Sequence, residues 1–263
     1  ITTSDYHTLV GYSSGAAITT GLYNTFIGGL SGDALTTGNN NATLGAFSLS
    51  ADTKGSKSTA IGVQALELQN FTSATDTFNT AVGFKAGATV TTGLYNTLIG
   101  ARAGDALTDA DSNVAMGTDA LTTDTLGSNS VAIGTGALNT QNFTSATNSN
   151  NTAVGHSAGT AITTGTGNTF LGAFSGDATV DGVNNTAMGL NALGADAVGE
   201  NVAIGNNALL VCTASNNTAV GSGAGKAVTS GSQNVFVGTN AGDAIVGGAN
   251  NVAIGFNALT TQT

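Results

Sequence analysis

One short pattern recurs fifteen times along this chain of 263 residues, and it constrains the fold more than any other feature. Its clearest copies are Asn129-Ser-Val-Ala-Ile-Gly134, Asn201-Val-Ala-Ile-Gly205 and Asn251-Val-Ala-Ile-Gly255. The anchoring glycines are Gly11, Gly28, Gly45, Gly62, Gly83, Gly100, Gly117, Gly134, Gly155, Gly172, Gly189, Gly205, Gly221, Gly238 and Gly255. Most stand 17 residues apart; two spacings are 21 and two are 16. Four residues before the glycine stands Asn in twelve copies, Ser at Ser58 and Ser130, and His at His7. Immediately before it is always Val, Ile, Leu or Met, and three after it always Ala or Ser.

A longer period lies over the short one. The fourth residue after each glycine runs Gly15, Gly32, Leu49, Leu66, then Gly87, Gly104, Leu121, Leu138, and keeps this order to the end. Four short repeats therefore make a super-repeat of 72 residues, shortened to 66 in the third round. The chain reads as a single repeat domain, 1–263, of four super-repeats at 1–72, 73–144, 145–210 and 211–263. The 21-residue spacings come from a four-residue insertion at Gln69-Asn-Phe-Thr-Ser-Ala-Thr75 and at Gln141-Asn-Phe-Thr-Ser-Ala-Thr147.

Segments such as Thr-Ala-Val and Val-Ala-Ile, bounded by Asn and Gly, are short β-strands, since β-branched residues favour the pleat and Asn and Gly favour tight turns. Two short strands and two corners are expected per turn. No single turn can bury its own apolar face, so turns must stack, like on like. This predicts an all-β, parallel β-solenoid or β-roll of about 15 turns, on the order of 70 Å long at ~4.8 Å per turn. The absence of proline agrees, because every backbone N–H is needed in a ladder. Stacking also predicts an asparagine ladder of Asn24, Asn41, Asn79, Asn96, Asn113, Asn151, Asn168, Asn185, Asn201, Asn217, Asn234 and Asn251.

Along Val131-Ala132-Ile133, Val and Ile point one way and Ala the other, and both faces are apolar. The Ala position is Phe or Leu at Leu9, Phe26, Leu98, Phe170 and Phe236. A solvated face would not carry Phe once per super-repeat. Leu9, Phe26, Leu98, Ala132, Phe170 and Phe236 are therefore the expected interface with a neighbouring copy of the chain.

Composition narrows the function. The formal net charge is -10, with 5 basic and 15 acidic residues, which opposes nucleic acid and anionic membrane surfaces. No apolar run approaches the ~18 residues of a spanning helix, so no membrane insertion is expected in this segment. With neither Met nor a leader at Ile1, the chain reads as a fragment or a processed protein. One cysteine, Cys212, leaves no intrachain disulfide framework. His7 takes the Asn position and His156 a variable one, so neither is expected to be a catalytic base, and Cys212 has no His in register to make it a nucleophile. The chain is expected to be no enzyme and to carry no cofactor or metal. Were Ca²⁺ bound, its candidate ligands would be the corner carboxylates Asp33, Asp105, Asp177 and Asp243, which stand four turns apart. The sequons at Asn41, Asn70, Asn142, Asn150, Asn184 and Asn216 follow from a repeat rich in Asn and Thr.

The Asn-Ser-Val-Ala-Ile-Gly repeat with a small residue three positions later resembles the head repeats of YadA-like trimeric autotransporter adhesins. The longer unit, with Thr-Thr-Gly and Asn-Thr-Phe-Leu-Gly, is similar to repeat regions of bacteriophage tail fibres. The likeness runs the length of the chain. It implies a left-handed roll, a homotrimer or filament of identical chains, and an extracellular place on a cell surface or virion. The function it implies is a rigid structural and adhesive rod: an adhesin head or virus tail-fibre shaft that meets a host-surface receptor, glycan or matrix protein. The 17-residue turn is longer than the turn of the adhesin head. Recognition is expected at the variable positions after each glycine, such as Phe84-Lys85 and Ala101-Arg102, and at the two insertions. The alternatives are a single-chain β-solenoid that binds ice, or a left-handed β-helix acyltransferase.

Overall fold

The computed structural model describes residues 6–260. These fall into two compact units, one of 6–130 with 142–147 and one of 131–141 with 148–260. The fold is all-β, and no helix occurs among the described residues. Each turn contributes one three-residue strand that ends at its repeat glycine. The first unit holds Thr8–Val10, Thr25–Ile27, Ala42–Leu44, Thr59–Ile61, Thr80–Val82, Thr97–Ile99 and Val114–Met116. The second holds Val131–Ile133, Thr152–Val154, Thr169–Leu171, Thr186–Met188, Val202–Ile204, Thr218–Val220, Val235–Val237 and Val252–Ile254. All are parallel, making a β-solenoid of about 15 turns. The register is like on like: Thr80 pairs with Thr97, Ala81 with Leu98 and Val82 with Ile99.

The expected second strand of each turn is mostly absent. Gly55–Ser56 pairs with Thr75–Asp76, and a single parallel bridge joins Val183 and Gly199. Elsewhere the rest of the turn is built from corners whose residues adopt left-handed backbone, so the chain bends too often to run a second ladder.

The strand's centre points inward. Ala81, Ala115, Ala132 and Ala153 are fully buried, while the flanking Thr, Val, Ile, Leu and Met face out. This overturns the expected interface. Phe26, Leu98, Ala132, Phe170 and Phe236 are wholly enclosed within their own coil, and Leu9 packs against the cluster of Ile18, Phe26 and Leu35. A 17-residue turn encloses a narrow interior, already shared by the Ala three positions and the Gly or Leu four positions after the repeat glycine. A large central residue fits only beside glycine. A Cβ on Gly32 would lie 2.5 Å from the Phe26 ring, and one on Gly104 2.7 Å from Leu98. Where the fourth position is Leu, as at Leu121 and Leu193, the centre is small, here Ala115 and Ala187, and all four are buried. The super-repeat is thus a volume code in the core.

The repeat glycine is a second constraint. Gly100 has φ +134°, and a Cβ there would lie 2.5 Å from the carbonyl oxygen of Gly117 on the next turn. Only a residue without a side chain lets the turns approach this closely.

Candidate interaction surfaces

The asparagines hold the turns together rather than presenting themselves to solvent. Asn41 donates its backbone N–H to Asn24 Oδ1 at 2.9 Å, and Asn24 Nδ2 donates to the Gly38 carbonyl at 2.9 Å. The same pair of bonds recurs at Asn79, Asn96 and Asn113 in the first unit. In the second, the backbone N–H of Asn168, Asn185, Asn201, Asn217, Asn234 and Asn251 each meets the side-chain oxygen one turn earlier. Asn168 Nδ2 also reaches Asn151 Oδ1 at 3.2 Å. His7 stands in for Asn by accepting the Asn24 N–H on Nδ1 at 3.2 Å, which occupies one ring nitrogen in structure.

Sequence reasoning missed a buried polar pair. Seven residues after the glycine the chain reads Ile18, Leu35, Asp52, Gln69, then Val90, Leu107, Asp124, Gln141. The recurrence was visible, but a four-turn clock alone does not reveal which positions face the core. Asp52 is fully buried; its Oδ1 accepts the N–H groups of Gly55 at 2.9 Å and Phe71 at 3.1 Å, and Oδ2 accepts Gln69 Nε2 at 2.7 Å. Gln69 Oε1 in turn accepts Asn79 Nδ2 at 2.9 Å. Asp124 takes the N–H groups of Gly127 and Phe143 in the same way, each at 3.0 Å. The carboxylates therefore anchor the two insertions, and Phe71 and Phe143, expected to be available for recognition, are buried.

The remaining candidates are scattered. Asp33, Asp105, Asp177 and Asp243 sit at equivalent corners; Asp105 accepts the Thr122 hydroxyl, and burial raises the Asp177 carboxyl above its ordinary value. No group of three or more His, Cys, Asp and Glu among the described residues is placed to hold a metal ion. Cys212 is buried between Asn217 Nδ2 at 3.5 Å and the Ala214 carbonyl, and burial pushes its thiol pKa up, away from a reactive thiolate. The His156 ring meets Phe174 edge-on at 5.1 Å. Of the sequons, Asn41 is buried in the ladder, whereas Asn70, Asn150, Asn184 and Asn216 are exposed.

What each turn presents outward is a pair of columns. One carries Thr or Val, with a single Ala at Ala42; the other carries Val, Ile, Leu or Met. Leu44 is 50 % exposed and Leu171 42 %, large values for aliphatic residues in a sheet. No residue of either column is charged. The hydroxyls of Thr80, Thr97, Thr152, Thr169 and Thr186 make no hydrogen bond among the described residues. Beside them, at the first turns after the glycines, Lys85 lies over the Phe84 ring, and Arg102 pairs with Asp119 through Nε at 2.7 Å and Nη2 at 2.8 Å. Among the described residues no helix is long and apolar enough to cross a membrane. No family model matches the chain, and neither a curated protein nor a solved structure is significantly similar to it.

Proposed function

We propose that this chain is a non-enzymatic structural and adhesive fibre segment that works outside the cell, on a cell surface or virion. Identical copies associate through the outward columns, and a host-surface receptor is met many times along the repeats. The observation that carries this reading is the uncharged outward face, with a Val, Ile, Leu or Met repeated on every turn beside Thr or Val, Ala42 excepted. In the second unit alone, eight strands at ~4.8 Å and three residues at ~3.3 Å make a face of about 400 Å². Self-association therefore shifts from the Ala and Phe positions to the Val, Ile, Leu and Met positions beside them. The test is the mass in solution by light scattering. Three times 25.4 kDa is expected for a trimer, and Ile99→Lys with Val154→Lys is expected to return a folded monomer. A monomeric parent chain would overturn the association.

One observation favours a second reading. A column of unpartnered threonine hydroxyls beside branched aliphatic side chains is a regular array on which water can order, as an ice-binding face requires. Inhibition of ice recrystallisation by a monomeric chain would support it over the fibre.

A further inference from the structure

One corner column of the first unit carries aromatic side chains on left-handed backbone. Five residues before the glycines stand Tyr6, Tyr23, Asn40, Lys57, Phe78 and Tyr95, with φ between 51° and 67°. The position demands positive φ, which Asn or Gly meets at little cost and bulky aromatics meet with strain. Asn fills it at Asn129, Asn150, Asn184, Asn216 and Asn250. Tyr23, Phe78 and Tyr95 are held here exposed, on a backbone that bulky side chains adopt only with strain.

The rings are ordered. Tyr6 and Tyr23 stack with centroids 5.1 Å apart and planes 6° apart; Phe78 and Tyr95 stack at 5.7 Å and 11°. Stacking of successive turns directs the ring faces along the column. One face of Tyr23 is covered by Tyr6 and the other looks towards Asn40. One face of Tyr95 is covered by Phe78 and the other looks towards Ser112. Asn40 and Ser112 are short, exposed and without side-chain partners among the described residues. The next long side chain beyond Asn40 is Lys57, two turns or about 10 Å from Tyr23. Its ammonium is held by Asp76 at 2.6 Å and lies 4.9 Å over the Phe78 ring, so the column offers no uncompensated cation.

We infer that Tyr23 and Tyr95 each form the aromatic floor of a notch that binds a pyranose ring of a neutral glycan. This deepens the adhesive reading and rests on it. A bare ring face supplies the apolar platform for the C–H face of a sugar. The phenol hydroxyl, the Asn40 amide and the Ser112 hydroxyl supply hydrogen-bonding groups for its hydroxyls. The chain's net charge of -10 and the compensated Lys57 disfavour an anionic ligand. The two notches are related by the 72-residue super-repeat and lie four turns apart, about 19 Å, so one extended glycan can engage both.

The experiment is an array of neutral oligosaccharides (glucans, mannans, galactans and chito-oligosaccharides) probed with the full chain. Titration of the strongest hit follows, read by calorimetry and by tyrosine emission, which is clean because the chain has four Tyr and no Trp. Tyr23→Asn with Tyr95→Asn is expected to weaken binding more than tenfold while the melting temperature stays the same or rises, since Asn is native to this corner. Each single variant is expected to lose the gain from two-site engagement, and Tyr12→Ala, at an exposed Tyr outside the column, to bind as the parent. Glycan binding that survives the double variant would overturn the site and leave the adhesive reading standing. Failure to bind any neutral glycan would overturn the inference outright, while the self-association of the fibre is judged separately by mass.

Discussion

Phe170 and Gly176 occupy one another's space: a Cβ on the glycine would lie 2.5 Å from the Phe170 ring. Gly159, one turn earlier in the second unit, faces the same ring at 2.8 Å. From the second super-repeat on, one large side chain (Leu98, Phe170 or Phe236) fills the room left by two glycines, and the two turns that follow each of Leu98 and Phe170 reverse the arrangement with Ala at the centre and Leu at the corner.

Exchange of these volumes is the most direct check. Phe170→Ala should cost about 3–5 kcal/mol through the cavity it leaves. Adding Gly176→Leu should recover part of that loss, because Leu193 already adopts φ +56° at the same corner. Gly176→Leu alone should be severely destabilising. Urea unfolding of the four chains measures the coupling, and additive effects would contradict it.

The asparagine ladder predicts a uniform sensitivity to truncation. Asn96→Ala removes the acceptor of the Asn113 N–H at 3.0 Å and the donor to the Ala110 carbonyl at 2.8 Å, both buried. A loss of about 2–4 kcal/mol is expected from the two stranded groups. Hydrogen exchange of the Asn113 amide should accelerate more than that of amides two turns away.

Asp52 tests whether the insertion depends on its buried anchor. Asp52→Ala strands the N–H groups of Gly55 and Phe71 and the Gln69 amide, and should cost about 3–5 kcal/mol. Asp52→Asn keeps an acceptor for the backbone but turns an NH₂ towards Gln69 Nε2, and should cost less. Proteolysis at the insertion should rise in the same order.

Asp177 predicts a pH dependence of opposite sign to the usual carboxylate. Burial raises its folded pKa, against the lowering effect of its own backbone N–H and that of Ala178. The folded state therefore keeps a proton that the unfolded chain has already lost. The resulting destabilisation is present at neutral pH and is relieved as pH falls through the raised folded value, with no further gain below the ordinary carboxylate range. Asp177→Asn should melt higher than the parent at pH 7, with the gap closing in acid.

Much of this protein is determined by spacing alone. Fifteen glycines about 17 residues apart, each preceded by a short apolar or β-branched segment and twelve of them by Asn, admit only stacked turns in register. From that follow the parallel sheet, the asparagine column and the absence of proline, because each depends only on what lies above and below it. The direction of the strand was decided elsewhere. Val131-Ala132-Ile133 is apolar on both faces, so its pattern does not say which side is the core. The answer lies in volume. The corners turn so tightly that the interior has room for Ala, or for Phe beside glycine, but not for two branched side chains on every turn. Ala132 and Phe170 therefore went inward and Val131 and Ile133 outward. Asp52 and Gln69 likewise read as two polar residues seventeen apart, and became one buried network only when the stacking brought their side chains within 2.7 Å.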